Sequence, residues 1–96
     1  MKRGNESSIG DAIQAYLQSI GMKEKALVQR VIGDWERIMG KAIAENTDRT
    51  WYDEGIFWIK VPNPAWKQEL SMAKSKIRET LNKELGAELI REVRVV

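Results

Sequence analysis

Residues 51–70, WYDEGIFWIKVPNPAWKQEL, contain the local signals that decide how this 96-residue chain folds. Apolar side chains alternate in orientation from Ile56 to Val61, which is the period of a half-buried strand. The preceding Asp53-Glu54-Gly55 supplies a turn. Asn63-Pro64 ends the strand and begins a helix, because asparagine caps a helix and proline fits its first position. The stretch therefore predicts strand, turn, strand and helix, in that order.

The length of the hairpin loop decides which side chains share a face of the sheet. A two-residue loop at Glu54-Gly55 places Tyr52 opposite Phe57 and Trp51 opposite Trp58. A three-residue loop would turn the first strand over, because side chains alternate between the two faces along a strand.

Apolar residues at helical spacing predict three helices in the remaining sequence. The first runs from a capping box at Ser8–Asp11 to Gly21, which ends it. The second runs from about Lys23 to Ala44 and contains two internal glycines. The third runs from about Pro64 to Leu85. The apolar face of the first helix consists of Ile9, Ile13, Tyr16, Leu17 and Ile20.

The sequence also predicts two strands outside the segment quoted above or at its edge, and the first residues of the chain are polar. The first strand is predicted from about Thr47 to Tyr52, and Val93 with Val95 indicates a final strand. The order α-α-β-β-α-β predicts an α+β two-layer domain, in which helices cover one face of a small three-stranded sheet. We expect a flexible segment at residues 1–7 and a single domain over residues 8–96.

The composition excludes several classes of chemistry. The chain contains no cysteine and no histidine, so thiol nucleophiles, disulfides, zinc ribbons and histidine-based triads are absent. Asp53 and Glu54 are neighbours in a turn, where their side chains diverge. No nucleotide-binding glycine motif occurs. We therefore expect a protein that is not an enzyme and that uses no metal and no cofactor.

The first residues, the hydropathy and the net charge of the chain indicate where the protein is located and what it can bind. The start, MKRGNESS, lacks the apolar region of a secretory signal, and no apolar run approaches the ~20 residues of a membrane span. We therefore expect a cytoplasmic protein without a membrane association. The net charge of +2 permits nucleic-acid binding without requiring it.

An ordered set of residues from about Ile9 to Val96 resembles the DciA-like family. The features that carry the resemblance are Trp35 with Gly40, Ile43-Ala44, Thr47, Gly55, Trp66 with Leu70, Leu81-Asn82 and Leu85-Gly86. The resemblance places an inward apolar position at Tyr52 and so favours the two-residue hairpin loop. The inner face then carries Thr50, Tyr52, Phe57, Ile59 and Val61, and the outer face carries Arg49, Trp51, Trp58 and Lys60.

The resemblance implies a KH-like domain of a bacterial protein that binds DNA and recruits or loads the replicative helicase at replication initiation. Longer members carry a disordered tail after this domain, whereas this chain ends at Val96. The chain contains no Gly-x-x-Gly, the loop with which KH domains clamp a nucleic-acid backbone. That mode of binding is therefore not expected here.

Two surfaces are candidates for binding. The first is the outer face of the sheet, where tryptophans can stack on bases and cations can attract phosphates, at Arg49, Trp51, Trp58, Lys60 and Arg94. The second is a basic stripe on the third helix at Lys67, Lys74 and Arg78, with Lys60 of the preceding strand as an additional member. At 100° per residue, these three helical residues fall within ~40° of one another.

Each candidate also has a purely structural interpretation. A cross-strand pair of Trp51 and Trp58 stabilises a hairpin without binding anything, and a charged helix face is often only solvated. Trp35 and Trp66 lie at the centres of apolar helical stripes and are predicted to be core residues. One alternative to DNA binding is a protein-interaction module or homodimer that uses the tryptophan face, by which we mean the outer sheet face at Arg49, Trp51, Trp58, Lys60 and Arg94. The other is an RNA-binding KH-like protein.

Overall fold

The computed structural model describes residues 5–96, with side chains from residue 8 onward, so residues 1–4 of the predicted flexible segment lie outside the description. The helices are α1 (Asn5–Gly33), α2 (Trp35–Met39), α3 (Lys41–Glu45), α4 (Pro64–Met72) and α5 (Lys74–Leu85). The strands are β1 (Arg49–Asp53), β2 (Ile56–Lys60) and β3 (Glu92–Val95).

The sheet has the strand order β1-β2-β3, with an antiparallel and a parallel pair. The hairpin has the predicted register, since Trp51 pairs with Trp58 and Tyr52 with Phe57. β3 runs parallel to β2 because α4 and α5 form the crossover that carries the chain back along the sheet. The predicted α+β class with a small three-stranded sheet is confirmed.

The hydrophobic core lies between the helices and the inner face of the sheet. Phe57, Ile59 and Val93 come from the sheet, and Leu81 comes from α5. The side chain of Asn63 accepts hydrogen bonds from the backbone N–H groups of Ala65 and Trp66, which confirms the predicted cap of α4. The buried apolar residues are Val28, Val31, Trp35, Phe57, Ile59, Val61, Leu70, Ile77, Leu81, Leu85, Ile90 and Val93.

The prediction that Gly21 ends the first helix is wrong. α1 continues through Gly21 to Gly33, and the predicted capping box at Ser8 lies inside it. A glycine costs only about 1 kcal/mol in a helix interior, which is too little to end a helix that packing anchors on its C-terminal side. Leu27, seven residues after Ile20, continues the face into the core.

The predicted second helix, Lys23–Ala44, is also divided differently. Helical geometry is interrupted at Asp34 and again at Gly40, which separates α1, α2 and α3. Gly40 has φ 92° and ψ 161°, a conformation that side-chain-bearing residues rarely adopt. The glycine therefore marks a turn between two short helices and not a position inside one.

Two further boundaries differ from the prediction. β1 begins at Arg49 and not at Thr47, because the Thr47 hydroxyl donates to the carbonyl of Ile43 and so belongs to the end of α3. The predicted third helix is broken at Ala73, which has φ −104° and ψ 15° and separates α4 from α5.

The tryptophans predicted to be core residues occupy different depths. Trp35 is buried, and its ring stacks on Phe57 with the centroids 5.6 Å apart. Its indole Nε1 donates to the Thr47 hydroxyl at 3.2 Å. Trp66 is only partly buried and packs against the edge of the core. The prediction is confirmed for Trp35, whereas Trp66 lies at the periphery.

Among the helices of the described residues, none combines the length and the apolar character that a bilayer crossing requires.

Candidate nucleic-acid interface

The outer face of the sheet carries a row of stacked rings and guanidinium groups. Trp51 and Trp58 pair across β1 and β2, with ring centroids 5.6 Å apart and planes 2° from parallel. The guanidinium carbon of Arg49 lies 4.3 Å from the Trp51 ring centroid, and that of Arg94 lies 5.2 Å from the Trp58 ring. An arginine therefore lies over each tryptophan, and both tryptophans remain partly exposed.

Carboxylates partly neutralise the cations of this face. Lys60 Nζ lies 3.6 Å from the carboxylate of Asp48. Arg94 Nε donates to the carboxylate of Glu92 at 2.7 Å. Of the five residues predicted to share the outer face, Lys60 and Arg94 are thus paired with carboxylates, and Arg49 lies over the tryptophan stack. Their role in binding stays a prediction.

The hydrogen bond from Arg94 changes the acidity of Glu92. It lowers the pKa of Glu92 below its ordinary value of 4.5, against a smaller opposing effect of desolvation, and the charges of Arg94, Lys74 and Arg91 lower it further. Since the pKa is depressed in the folded state, the stabilisation is present above the ordinary pKa. It is lost as the pH falls through the lower, folded-state pKa.

We expect Arg94→Gln to raise the pKa of Glu92 toward 4.5, because its main hydrogen-bond donor is removed. A carboxyl NMR titration measures this directly. Arg91→Gln is the control and should change the pKa less, since Arg91 contributes the weakest of the named effects. An unchanged titration of Glu92 in Arg94→Gln would show that the ion pair does not persist in solution.

A shallow groove of about 200 Å³ lies where the start of α5 passes β3. Two of the predicted basic residues, Lys74 and Arg78, line it. Arg91, just before β3, lines the same groove. We call these three residues the groove cations. The remaining lining residues are Ser75, Glu92 and Val93.

Arg91 was not predicted, and it is held in place by the hairpin turn. Its guanidinium donates to the carbonyl of Glu54, and its backbone N–H donates to the carbonyl of Gly55 at 2.8 Å. Gly55 has φ 87°, and a Cβ atom there would collide with the Arg91 side chain. The period-two pattern of β3 assigns Arg91 to the same side as Val93, so only the tertiary pairing with the turn reveals its position.

The other predicted basic residues do not line the groove. Lys67 is exposed on α4, on the other side of the break at Ala73. Its expected alignment with Lys74 was based on one continuous helix, which the structure does not have. Lys60 lies at the end of β2 beside Asp48. The structure therefore brings together Lys74 and Arg78 and adds Arg91.

The groove and the tryptophan face meet at β3. Glu92 lines the groove and is also paired with Arg94 on the outer face. Arg78 lies 3.9 Å from Glu88, a long and exposed ion pair that costs little to break. The groove cations outnumber the carboxylates of Glu88 and Glu92, so this edge of the domain is locally basic and suited to phosphate.

Comparison with known protein families identifies one match over almost the whole chain. The sequence profile described as "Dna[CI] antecedent, DciA" matches residues 8–95. The match includes both the tryptophan face and the groove cations. No solved structure matches the chain significantly.

Curated relatives include proteins of Streptomyces, Corynebacterium and Mycolicibacterium species. A UPF0232 protein of Streptomyces avermitilis is 28% identical over 90 residues, which are 92% of this chain and 50% of the relative. A UPF0232 protein of Corynebacterium glutamicum is 26% identical, over 97% of this chain and 52% of the relative. One from Mycolicibacterium smegmatis is 24% identical, over 92% and 45%. The chain thus spans about half the length of these relatives.

Proposed function

The chain belongs to the DciA family, and on that premise we propose that it is a non-enzymatic, DNA-binding adaptor that recruits or loads the replicative helicase. The observation that carries the DNA-binding part is the convergence of the groove cations beside the tryptophan face. Because such an adaptor works by binding alone, the proposal requires no cofactor. It places the protein in the bacterial cytoplasm, where the helicase and the DNA are found.

The groove supports contact with the phosphate backbone. Lys74, Arg78 and Arg91 offer three positive groups on one short surface. For a single strand, each neutralised phosphate contributes about −0.7 to the slope of log K against log salt, so three contacts predict a slope of roughly −2. We therefore expect a modest affinity that depends strongly on salt.

The tryptophan face supports contact with bases only after a rearrangement. Arg49 and Arg94 lie over the outer faces of the two rings. An exposed cation–π contact is worth about 0.5–1 kcal/mol, whereas base stacking on an aromatic ring is worth about 1–3 kcal/mol. A base can therefore displace an arginine from the ring, and the guanidinium of Arg49 then becomes available to a phosphate, whereas that of Arg94 is paired with Glu92. This step favours unpaired, single-stranded DNA.

The double substitution Lys74→Gln with Arg78→Gln should weaken binding to a labelled single strand of ~20 nucleotides by roughly 25-fold at about 0.1 M salt. The salt slope should become shallower by about 1.4, because two phosphate contacts are lost. Fluorescence anisotropy at several salt concentrations gives both quantities. A duplex and an RNA of the same sequence, measured in parallel, report the preferred nucleic acid.

The control is Lys76→Gln with Lys83→Gln on the same helix, α5. Both double variants reduce the net charge of +2 by two, so any difference between them is due to position. Equal losses in the two variants would indicate general attraction without a groove site. Unchanged binding by the Lys74 and Arg78 variant would remove the groove from the proposal. Failure of the unsubstituted protein to retain purified replicative helicase in a pull-down would contradict the adaptor role.

A second candidate function is a protein-interaction module that binds no nucleic acid. The observation in its favour is that Lys60 and Arg94, two cations of the tryptophan face, are already paired with carboxylates. Such a face has little net charge and an apolar centre, which suits a protein partner. Absence of DNA binding at low salt would favour this candidate over the first.

A further inference from the structure

The first half of α1 carries an apolar face that packs against no other element among the residues whose side chains the structure describes. All residues from 8 to 20 are exposed. The exposed fractions are large for apolar residues, at 59% for Ile9, 53% for Ile13, 67% for Tyr16, 54% for Leu17 and 37% for Ile20. The molecule measures 64 Å along its longest axis and about 20 Å across, as expected when a 29-residue helix extends beyond its domain. We call these five residues the α1 stripe.

The α1 stripe continues the face with which the same helix enters the core. At 100° per residue, Ile13 and Ile20 lie within about 40° of Leu27 and Val31 on the helix surface. Val31 is buried and Leu27 is packed against the core. The face is therefore used for packing at one end of the helix and left uncovered at the other.

An uncovered helix of this kind would be stabilised by a partner that covers its apolar face. Most helical stability in proteins comes from packing of an apolar face, and short unsupported helices are marginal in water. Gly10 and Gly21, which lie within α1, each cost about a further 1 kcal/mol. The exposed half of α1 is thus both apolar and intrinsically weak.

We infer that the partner is a second copy of this chain, paired through an antiparallel two-fold contact of the α1 stripes. Ile9, Ile13, Tyr16 and Ile20 are spaced 4, 3 and 4 residues apart, which is the same spacing read in either direction. A two-fold axis between residues 14 and 15 therefore places Ile9 opposite Ile20 of the second copy and Ile13 opposite its Tyr16.

The same axis matches side chains of different size beside this seam. It places Leu17 of one copy opposite the small Ala12 of the other. The 4-3-4 spacing is that of helices that pair along a narrow apolar seam.

Charge and area also fit a contact between identical surfaces. Residues 12–22, AIQAYLQSIGM, contain no charged side chain, so two copies meet without the like-charge repulsion that usually keeps identical surfaces apart. Covering the α1 stripe on both copies would remove roughly 1,000 Å² from water, at the lower limit for a specific interface. The expected product is a reversible dimer that forms with rising concentration. This surface is separate from both the groove cations and the tryptophan face.

Sedimentation equilibrium across about 1–500 μM should show a shift from the mass of one chain to twice that mass, within the range expected for a micromolar complex. Ile13→Gln with Ile20→Gln should raise the midpoint concentration at least about tenfold, since four apolar contacts are lost in the dimer. Ala15→Gln with Met22→Gln, exposed positions on the opposite side of α1, should leave the midpoint unchanged. All four positions lie outside the buried core, so the domain should fold in each variant.

Cysteine cross-linking tests the direction of the pairing, because the chain has no cysteine of its own. An oxidised mixture of Ile9→Cys and Ile20→Cys chains should form the mixed disulfide in excess over either self-linked species. A chain that stays monomeric across the whole concentration range would overturn the proposal. Association unaffected by Ile13→Gln with Ile20→Gln, or predominant self-linking of Ile9→Cys, would also overturn it. None of these outcomes depends on DNA binding, so they leave the proposed function to its own test.

Discussion

Replacing Trp35 with alanine is expected to lower the free energy of unfolding by about 3–5 kcal/mol, the usual range for loss of a buried tryptophan. Trp35 is only 7% exposed and connects α2 to the sheet through its stack on Phe57. Small domains have a total stability of about 5–15 kcal/mol, so the variant should be partly or wholly unfolded at physiological temperature. Urea denaturation followed by far-UV circular dichroism measures the change.

Trp66→Ala provides the matched comparison. Trp66 is only partly buried, so its removal should cost about half as much or less, because solvent already reaches the ring. Trp35→Phe should fall between the two, since it keeps an aromatic stack on Phe57 and loses the hydrogen bond to Thr47. Equal losses in Trp35→Ala and Trp66→Ala would contradict the placement of the two rings at different depths.

Asn82→Leu is expected to cost roughly 2–4 kcal/mol, although leucine is apolar and the site is buried. The Asn82 amide accepts from the backbone N–H of Ile90 and donates to the Ile90 carbonyl, both at 2.9 Å. Ile90 is fully buried, so neither its backbone N–H nor its C=O can form a hydrogen bond with water when the Asn82 side chain is removed. Each unsatisfied buried group costs about 1–3 kcal/mol.

Hydrogen exchange distinguishes this mechanism from a simple packing defect. In Asn82→Leu, the Ile90 amide should lose more protection than the amides of β1 and β2, because its own acceptor has gone. Asn82→Asp keeps that acceptor and loses the donor, and it also places a carboxylate near Glu88, which lies 2.8 Å from the Asn82 amide nitrogen. Its Ile90 amide should therefore stay protected. Uniform loss of protection in Asn82→Leu would contradict the local role.

The hairpin and the helix that follows it were predictable because their determinants are local. Asp53-Glu54-Gly55 predicts the turn and alternation predicts the strand, but the two-residue loop that pairs Trp51 with Trp58 was chosen on the family resemblance. Asn63 caps α4 as its sequence context indicates. The strand, the turn and the cap each depend on residues fewer than ten positions apart, so the physics of a short peptide already contains them.

The helix boundaries were harder to predict because competing effects are of similar size. Gly21 and Gly40 are the same residue type in similar apolar patterns, yet α1 passes through the first and the chain turns at the second. Each glycine lowers the helix propensity by about 1 kcal/mol, and packing that exists only in the folded chain decides whether the helix continues. The break at Ala73 has no sequence signal at all, since alanine is the best helix former.

The candidate site was predictable only in part for the same reason. Lys74 and Arg78 are four residues apart on one helix, so their proximity follows from helical spacing. Arg91 joins them through a turn that is 36 positions earlier in the chain, at Gly55. The stripe on α1 was correctly predicted as an amphipathic face, but periodicity does not tell whether the face is covered by the same chain.

The parallel pairing of β2 and β3 has a consequence for how the domain folds. The hairpin closes over two residues, whereas Ile56 and its partner Glu92 are 36 positions apart. Closing a longer loop costs more chain entropy, by about 0.6 kcal/mol for each doubling of length, and non-local pairing slows folding. β3 is therefore expected to pair with β2 last, after α4 and α5 have formed. Until then, one edge of β2 presents unpaired N–H and C=O groups between apolar side chains, which makes the late intermediate the species most prone to aggregate.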